Sequence, residues 1–310
     1  MNVSVIIPTY NRYEALKRAL TSIFSQTYTP FEVIVIDDGS TDNTSKIETF
    51  VTLNLIGSLA IEFRYFYQEN RGVSSARNLG IEKSACDWIA FLDSDDEWHV
   101  DKLKEQTAFH KEYPDILMSY TDEKWIRNGI EVKVPKKFRK YGGDIFSECL
   151  SHCIIAPSAT IIHKDLLERV GVFDENLEVC EDYDLWLRIA HGHKIGLVDK
   201  KLITKYAGHD DQLSFKHWGM DRFRILALEK LLESMGEIPS QAENDWVVEA
   251  GNDRVVEALN VYSSSFRATT RNLVIDVLVK KYELLLKGAI KYDKIHDIQI
   301  YEKRLRELNE

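Results

Sequence analysis

The sequence has 310 residues, of which 44% are hydrophobic and 29% charged, and its formal net charge is -10. This length suits one sizeable α/β domain with a smaller addition, and the composition leaves no room for a long disordered tract. The acidic balance argues against non-specific binding to nucleic acid, because phosphate backbones attract surfaces rich in lysine and arginine. Acidic side chains gathered in one cleft would instead suit a divalent cation.

Cysteine spacing and apolar runs indicate where the protein works. The sequence has no CxxC pair and no histidine cluster with zinc-finger spacing, which indicates free thiols in a reducing cytosol. Met1 is followed almost at once by an apolar strand, so we expect no signal peptide. No apolar run approaches the roughly 18–20 residues that span a bilayer. We therefore expect a cytoplasmic protein whose contact with a membrane would be peripheral.

Strands and helices alternate through the first hundred residues. Runs of apolar and β-branched residues predict four strands, at 3–7, 31–36, 61–67 and 88–92. Helical spacing predicts helices at 13–26 and 74–84, and a third helix can start at Thr41. This rhythm is typical of βαβ units and predicts a mostly parallel sheet covered by helices on both faces.

The second half of the chain changes character towards its end. We predict a helix at 101–113, a strand at 116–120, an irregular stretch, a strand at 159–163 and a helix at 181–191. Beyond about residue 220, long helical patterns replace the strands, through 271–290 and 299–308. We therefore predict an α/β domain at 1–215 and a helical extension at 216–310.

Polar segments follow three of the predicted strands at their carboxyl ends. These segments are 9–11 (Thr-Tyr-Asn), 37–38 (Asp-Asp) and 93–96 (Asp-Ser-Asp-Asp). Ligands of open parallel sheets bind beyond the carboxyl ends of the strands, so the three segments predict one shared site. Asp93 and Asp95 can reach the same side and hold Mg²⁺ or Mn²⁺ against a diphosphate leaving group. The alternative is an Asp-rich surface turn.

Five segments together resemble the family 2 glycosyltransferases with the GT-A fold. They are Val-Ser-Val-Ile-Ile-Pro-Thr-Tyr-Asn-Arg at 3–12, Asp-Asp-Gly-Ser-Thr-Asp at 37–42, Asn-Arg-Gly and Ala-Arg-Asn within 70–78, Phe-Leu-Asp-Ser-Asp-Asp at 91–96, and Glu-Asp-Tyr-Asp-Leu-Trp at 181–186. The resemblance covers about residues 1–215. It implies an inverting, metal-dependent enzyme that moves a sugar from a nucleotide sugar, expected to be a UDP-sugar, to a hydroxyl of a glycan or lipid-linked saccharide. Cell-surface polysaccharide synthesis is the process it suggests.

The resemblance also implies roles for particular residues. Asp95 would be the direct ligand of Mn²⁺ or Mg²⁺, His209 would lie near that metal and the diphosphate, and Asp182 would be the catalytic base. Tyr10 would lie against the nucleotide base, and Asp38 would accept a hydrogen bond from the uracil imide. The complete set implied for nucleotide-sugar binding is Pro8, Thr9, Tyr10, Asp37, Asp38, Arg77, Asp93 and Ser94.

Each of these roles has a structural alternative. Tyr10 would then cap the sheet, and Asp38 would belong to a turn with a helix N-cap. Arg77 would form a salt bridge within its own helix, and Asp182 would complement a helix dipole. His209 would be an ordinary loop histidine.

The need for a carboxylate base also follows from the chemistry. An acceptor hydroxyl is a poor nucleophile near neutral pH, so a positioned Asp or Glu has to accept its proton. In-line attack opposite the diphosphate inverts the anomeric carbon, and one carboxylate then suffices, unlike the paired carboxylates of many hydrolases. Asp184 is the second candidate for this base.

Two other functions remain open at this stage. A nucleotidylyltransferase usually carries a Gly-rich loop after its first strand, where this chain has the segment 8–12. A non-catalytic sugar-nucleotide-binding protein would have no need for Asp93, Asp95 and Asp182 together. A Rossmann dehydrogenase is disfavoured because no GxGxxG follows the first strand.

Two surface features have more than one interpretation. Five basic residues within 133–140 would hold an acceptor phosphate or an anionic membrane surface, or would form a solvated loop. An apolar stripe in the C-terminal helices would pack on the catalytic domain, mediate self-association or dock on a membrane. The stripe consists of Leu273, Val274, Val277, Leu278, Leu285 and Leu286.

Overall fold

The computed structural model describes residues 1–54, 61–207, 219–237 and 253–309. The chain divides into two compact units, Met1–Trp218 and Gly219–Glu310. The predicted boundary between residues 215 and 216 lies close to this division. One predicted site residue, His209, lies outside the described residues.

The amino-terminal half of the first unit alternates strands and helices. In chain order these are β1 (Val3–Thr9), α1 (Tyr13–Phe24), β2 (Glu32–Asp38), α2 (Ile47–Asn54), β3 (Glu62–Gln68), α3 (Val73–Lys83) and β4 (Trp88–Phe91). All residues of β1 and β2 are buried, as expected for parallel strands covered on both faces. The structure confirms the four strands and the helices that the sequence predicts here.

The remaining elements of the first unit are shorter and less regular. They are β5 (Glu97–Trp98), α4 (Lys102–Glu112), β6 (Met118–Arg127), β7 (Ile130–Val132), α5 (Phe146–Ser151), β8 (Ile161–His163), α6 (Lys164–Val170), α7 (Glu181–Gly192) and β9 (Gly196–Ala207). The sequence predicts α4, β8 and α7. It does not predict β9, and it ends β6 too early, at residue 120.

Nine strands within the described ranges form one sheet. The order is β3-β2-β1-β4-β8-β6-β9-β5, and β7 pairs with β6. The strands β3, β2, β1 and β4 are parallel, and the antiparallel strand β8 joins β4 to β6. The chain runs from β1 outward to β2 and β3 and then returns to the other side of β1 with β4. The strand order therefore reverses between β1 and β4, which is where open α/β sheets bind ligands. The predicted α/β fold class is confirmed.

Close packing of α3 on the sheet places one predicted site residue. A Cβ atom at Gly80 would lie 2.3 Å from Cγ2 of Ile6 in β1, so the helix and the strand approach too closely for any side chain there. Arg77 lies three residues before Gly80 and therefore on the same side of the helix. The guanidinium of Arg77 is thus carried into the interior of the first unit, where it is almost completely buried.

The second unit consists of helices in its described part. These are α8 (Asp221–Glu237), α9 (Asp253–Lys291) and α10 (Ile295–Asn309), which include the predicted helical runs. Helix α9 contacts both α8 and α10, and Val274 and Leu278 are completely buried. Part of the predicted apolar stripe is therefore covered. None of the helices within the described residues is long and apolar enough to cross a membrane.

Candidate active site

The carboxyl ends of β1, β2 and β4 bring the three predicted polar segments to one edge of the sheet. Thr9 at the end of β1 is in register with Asp37 in β2. The backbone N–H of Leu92, directly after β4, donates to the carbonyl of Ile6 at 3.0 Å. The segment 93–96 therefore begins beside the end of β1, as the sequence predicts.

The loop after β1 is fastened to the loop after β2. The N–H of Asn11 donates to Oγ of Ser40 at 2.8 Å, and its side-chain oxygen accepts the N–H of Thr41 at 2.7 Å. Pro8 and Thr9 are buried, and the Thr9 hydroxyl has no hydrogen-bond partner among the described residues. Tyr10 is 46% exposed, so its ring is not buried against the sheet.

Asp37 and Asp38 are buried carboxylates that accept from neutral donors. Asp37 accepts the N–H of Ser40 at 2.8 Å and the hydroxyl of Tyr65 at 2.6 Å. Burial and then the Asp37 contact raise the pKa of Tyr65, which keeps this hydroxyl a donor. Asp37 and Asp38 thus stabilise the backbone around them. The N-cap of the helical turn that follows is Asp42 and not Asp38, since the Asp42 carboxylate accepts the N–H of Thr44 at 2.9 Å.

Asp38 organises the turn that leads into α3. Its Oδ1 accepts the side-chain amide of Gln68 at 2.6 Å and the N–H of Arg71 at 2.9 Å, and its Oδ2 accepts the N–H of Gly72 at 2.9 Å. Gly72 has a φ of 90°, which favours glycine at this position. A single carboxylate therefore fixes the chain from the end of β3 to the start of α3.

The loop after β4 carries its carboxylates differently, because Asp95 meets arginines. Oδ2 of Asp95 accepts from Nη1 of Arg12 at 2.6 Å, and its backbone carbonyl accepts from Nη2 of Arg18 at 2.8 Å. Arg18 also pairs with Glu97 at 2.7 Å. The side chains of Arg12 and Asp95 are about one fifth exposed, at 21% and 19%, so the pair lies at the rim of the site.

The buried side chain of Ser158 holds the loop after β4 in place. Oγ of Ser158 accepts the N–H of Asp93 at 3.1 Å and donates to Oδ2 of Asp96 at 2.6 Å, while its carbonyl accepts the Trp98 indole N–H at 2.8 Å. Burial, and then the charges of Asp95 and Asp93, raise the pKa of Asp96. Ser94, between the two expected functional carboxylates, is also buried.

Arg77 joins the loop after β4 to the start of α7. Its Nη2 donates to Oδ1 of Asp93 at 2.7 Å, and its Nη1 donates to Oε1 of Glu181 at 2.6 Å. The side chain is only 4% exposed and lies over the ring of Phe173. Neither partner belongs to α3, so the alternative of a salt bridge within the helix of Arg77 is wrong. Burial opposes its charge, but the carboxylates of Asp93 and Glu181 outweigh this and raise the pKa of Arg77.

The first turn of α7 separates the two candidates for the base. Asp182 is half-buried, and its Oδ1 accepts the N–H of Tyr183 at 2.7 Å while its Oδ2 accepts the Cys153 thiol at 3.3 Å. Asp184 is buried and pairs with Nη2 of Arg188 at 2.8 Å and with its Nε at 3.0 Å. Asp184 therefore has a structural ion pair, whereas the donors to Asp182 within the described residues are an uncharged N–H and a thiol.

Comparison with known proteins identifies the family. The model of the family described as glycosyl transferase family 2 matches residues 4–171, more than half of the chain. The chain belongs to glycosyl transferase family 2. The matched segment contains the loops after β1, β2 and β4.

Several family 2 relatives align with the same part of the chain. An uncharacterized glycosyltransferase of Rickettsia felis is 36% identical over 201 residues, which are 64% of this chain and 32% of that protein. The chain thus spans about a third of that relative's length. The Escherichia coli protein WfgD is 29% identical over 205 residues, 66% of this chain and 76% of its own. Its name is UDP-Glc:alpha-D-GlcNAc-diphosphoundecaprenol beta-1,3-glucosyltransferase.

A solved structure shares the fold of this glycosyltransferase. The crystal structure of S. aureus TarS 1-349 in complex with UDP-GlcNAc is 21% identical, with a TM-score of 0.63. The similarity covers 99% of this chain and 92% of TarS 1-349. At this level of identity the likeness shows the fold alone.

Lys205 is a basic residue of the acidic site, and sequence reasoning assigned it no place there. Burial opposes the charge of Lys205 in β9, but nearby carboxylates, Glu123 first and then Asp96, Asp93 and Asp182, raise its pKa. Lys205 is thus a resident cation among the acidic groups. The signal for it was weak, because a lone lysine before a loop resembles any surface lysine.

Lys140 corrects the interpretation of the basic run at 133–140. Its ammonium pairs with Glu123 at 3.1 Å and donates to the carbonyl of Ile154 at 2.6 Å, and its side chain is almost completely buried. One of the five basic residues is therefore structural and does not face a phosphate or a membrane. The exposed basic residues of the run are Lys133, Lys136, Lys137 and Arg139.

The carboxylates of the loop after β4 fit one kind of metal site. No group of three or more His, Cys, Asp and Glu side chains is arranged to hold a metal ion within the described ranges. Mg²⁺ is commonly held by one or two carboxylates, with substrate phosphates and water as the other ligands. The hard oxygens of Asp95, at the rim of the site, fit such a cation, which would be bound together with a diphosphate.

Proposed function

We propose that this family 2 enzyme moves a sugar from a UDP-sugar to a hydroxyl of a glycan or lipid-linked saccharide, with inversion at the anomeric carbon. The observation that carries the proposal is the Arg77 bridge, which ties the carboxylate loop at Asp93 to the helix start that carries Asp182. One buried guanidinium thereby fixes the expected donor side and the expected base side of the site relative to each other. Such fixed positions are what a reaction between two bound substrates requires.

The named activities of similar proteins support the choice of donor and acceptor. TarS 1-349 was solved with UDP-GlcNAc, and the name of WfgD gives UDP-Glc as donor and a diphosphoundecaprenol-linked sugar as acceptor. AmsB of Erwinia amylovora, 29% identical over 61% of this chain, is an amylovoran biosynthesis glycosyltransferase. We extend this to the present chain as a role in cell-surface polysaccharide synthesis.

On the donor side we assign binding to the edge formed by the ends of β1, β2 and β4. The exposed ring of Tyr10 would stack on the nucleotide base, and Asp38 would accept from the uracil imide. The three groups that donate to Asp38, on Gln68, Arg71 and Gly72, fix the orientation of its carboxylate before a nucleotide binds. Asp93, turned by Arg77, would face the ribose and sugar, while Pro8, Thr9, Asp37, Arg77 and Ser94 would complete the donor site.

A divalent cation, Mn²⁺ or Mg²⁺, would be held by Asp95. When bound, it supplies positive charge that stabilises the diphosphate as the leaving group. His209 is proposed as a further residue near this cation and the diphosphate. Arg77, which donates to Asp93 and to Glu181, holds these two carboxylates in place.

On the acceptor side we assign general-base catalysis to Asp182. Its carboxylate would take the proton of the acceptor hydroxyl as that oxygen attacks the anomeric carbon on the face opposite the diphosphate. One carboxylate suffices for this inverting displacement. The ion pair between Asp184 and Arg188 favours Asp182 over Asp184 for this role.

The cytoplasmic location, peripheral membrane contact and self-association through the C-terminal helices stay predictions.

A donor screen tests the proposal. The full chain is incubated with a panel of UDP- and GDP-sugars and with Mn²⁺ or Mg²⁺, and the released UDP or GDP is measured. We expect release from at least one UDP-sugar, dependent on the divalent cation, and its loss in Asp95→Asn. The matched control is Asp87→Asn, an exposed carboxylate at the opposite end of β4. Release from GDP-sugars alone, or release that needs no divalent cation, would contradict the proposal.

A further inference from the structure

We propose that Arg12 is a further residue of the donor site, which neutralises Asp95 before the donor binds and then transfers to the donor's diphosphate. The proposal rests on the proposed function, because it needs a divalent cation at Asp95 and a diphosphate beside it. It assigns a role to the last residue of the segment 3–12, which the sequence argument left without one.

The contact between Arg12 and Asp95 is short and direct. Nη1 of Arg12 lies 2.6 Å from Oδ2 of Asp95, which is an oxygen that a cation at Asp95 would use. A guanidinium at this distance occupies the lone pair and compensates the charge that would attract the metal. Both side chains are partly exposed, at 21% and 19%, whereas Arg77 is only 4% exposed, so the Arg12–Asp95 pair can open at a lower cost than the Arg77 bridge.

The backbone on both sides of Arg12 is fixed, so the exchange requires only its side chain to move. Asn11 is bonded to the loop after β2, and the N–H of Tyr13 donates to the Asp42 carboxylate at 3.2 Å. The carbonyl of Arg12 accepts the N–H of Leu16 at 2.8 Å as α1 begins. The guanidinium would therefore move while its backbone stays fixed, near the point between β1 and β4 where the strand order reverses.

The neighbouring arginines show why this role falls to Arg12. Arg77 is only 4% exposed and is shared between Asp93 and Glu181, so its movement to a ligand would leave the buried Glu181 without its partner. Arg18 donates to the backbone carbonyl of Asp95, pairs with Glu97 and lies over the Tyr206 ring, so it supports the loop. Arg12 meets the Asp95 carboxylate itself.

This arrangement couples the binding of cation and nucleotide. A diphosphate offers a guanidinium a partner of higher charge than one carboxylate, and arginine suits its geometry. When Arg12 transfers to the diphosphate, Asp95 becomes available to the cation, so each ligand favours the other. Without Arg12, the cation alone should bind better and the nucleotide alone should bind worse.

The test measures binding to the full chain, independently of catalysis. Mn²⁺ binding is followed by electron paramagnetic resonance without and with UDP, and UDP binding without metal by calorimetry. In Arg12→Ala we expect Mn²⁺ alone to bind about three- to tenfold more tightly and UDP alone to bind more weakly by a similar factor. Arg12→Lys should restore most of both effects. The matched control is Lys83→Ala, which removes one positive charge from the exposed end of α3.

The opposite directions of the two effects separate this role from a structural one. A general disturbance of the site would weaken both ligands, and that result, or unchanged Mn²⁺ binding in Arg12→Ala, would overturn the proposal. The variant Asp95→Asn distinguishes a failure of the Arg12 proposal from a failure of the proposed function. If Asp95→Asn loses Mn²⁺ binding while Arg12→Ala behaves as wild type, only the Arg12 proposal fails. If Asp95→Asn binds Mn²⁺ as wild type does, the metal assignment fails and the Arg12 proposal with it.

Discussion

The end of β2 and the loop after β4 each carry a pair of aspartates at the carboxyl end of a parallel strand, yet the two pairs are bonded in different ways. Asp37 and Asp38 accept from neutral donors, namely backbone N–H groups, a phenol and an amide. Asp93 and Asp95 instead accept from the guanidinium groups of Arg77 and Arg12. In sequence the two pairs look alike, because both are acidic residues that follow an apolar strand.

The difference indicates what each loop is for. A carboxylate that accepts from several N–H groups maintains the local fold, since its removal takes away the acceptor that these groups share. A carboxylate paired with an arginine at a rim has a charge that another cation can take over. We therefore propose that the end of β2 is a preformed edge against which a nucleotide can lie, and that the loop after β4 is the part whose charges are exchanged.

The largest effect on stability is expected where an arginine of the second loop is fully buried. Arg77→Met would leave Asp93 and Glu181 without their cation, and breaking a buried ion pair of this kind costs about 3–5 kcal/mol. Urea unfolding of the full chain measures this loss. The control is Arg71→Met, whose exposed pair with Glu175 at 3.1 Å should contribute only about 0–1 kcal/mol. Equal losses in the two variants would show that Arg77 is not the central bridge.

The next largest loss of stability is expected when one aspartate of each pair is removed in turn. Asp38→Ala would leave the N–H groups of Arg71 and Gly72 without their acceptor, and we expect a loss of about 2–4 kcal/mol in the free energy of unfolding. Asp95→Ala removes a rim carboxylate and should cost at most about 1 kcal/mol. Thermal and urea unfolding of both variants check this order. A larger loss in Asp95→Ala than in Asp38→Ala would reverse our distinction between the loops.

At the opposite end of β4 a buried neutral group takes the place of the charged pairs, and we expect from it a smaller effect on stability that depends on pH. His110 is buried, 4.1 Å from the Trp88 ring, and hydrogen-bonds to Ile116 and Ser119. Burial lowers the pKa of His110 from 6.5 to about 4. Between these values the unfolded chain binds the proton and the folded chain does not, so this histidine's contribution to stability is present above pH 6.5 and is lost as the pH falls towards 4.

The loss should reach on the order of 2–3 kcal/mol near pH 4, and urea unfolding between pH 7 and pH 4 measures it. His110→Gln keeps a hydrogen-bond donor and an acceptor but does not titrate in this range. It should therefore lose less stability on acidification than the wild type. If both proteins lose the same amount, His110 is not the neutral group that we describe.

The sequence predicted the parallel part of the sheet well for a physical reason. Strands β1 and β2 are buried on both faces and read as continuous apolar runs, which periodicity detects. Strand β9 was missed because Asp199, Lys200 and Lys201 interrupt its pattern. In the structure, the pairing of β6 with β9 shifts register opposite these residues, so the irregularity absorbs them. Strand β5 has two residues and leaves no periodic signal.

For the site, the sequence predicted the carboxylates but not what holds them. The segments with Asp38, Asp95 and Asp182 were recognised because acidic residues at strand ends and helix starts carry a chemical meaning. Their partners depend on contacts between distant parts of the chain, which no local pattern encodes. Arg12 and Arg77 show this, because Arg12 reaches the loop after β4 from the residue before α1, and Arg77 reaches it from α3. That Arg12 directly follows the polar segment 9–11 was the one local hint.

The most direct test of the whole account is the turnover of Asp182→Asn, which keeps the size of the side chain and removes its basicity. We predict that kcat for sugar transfer from the UDP-sugar found by the donor screen falls at least ~10²-fold while UDP binding is kept, because general-base catalysis typically contributes ~10²–10⁴. Asp184→Asn, compared per folded protein, should mainly lose stability through its pair with Arg188. Near-normal kcat in a folded Asp182→Asn protein, with the large loss found in Asp184→Asn instead, would contradict the account.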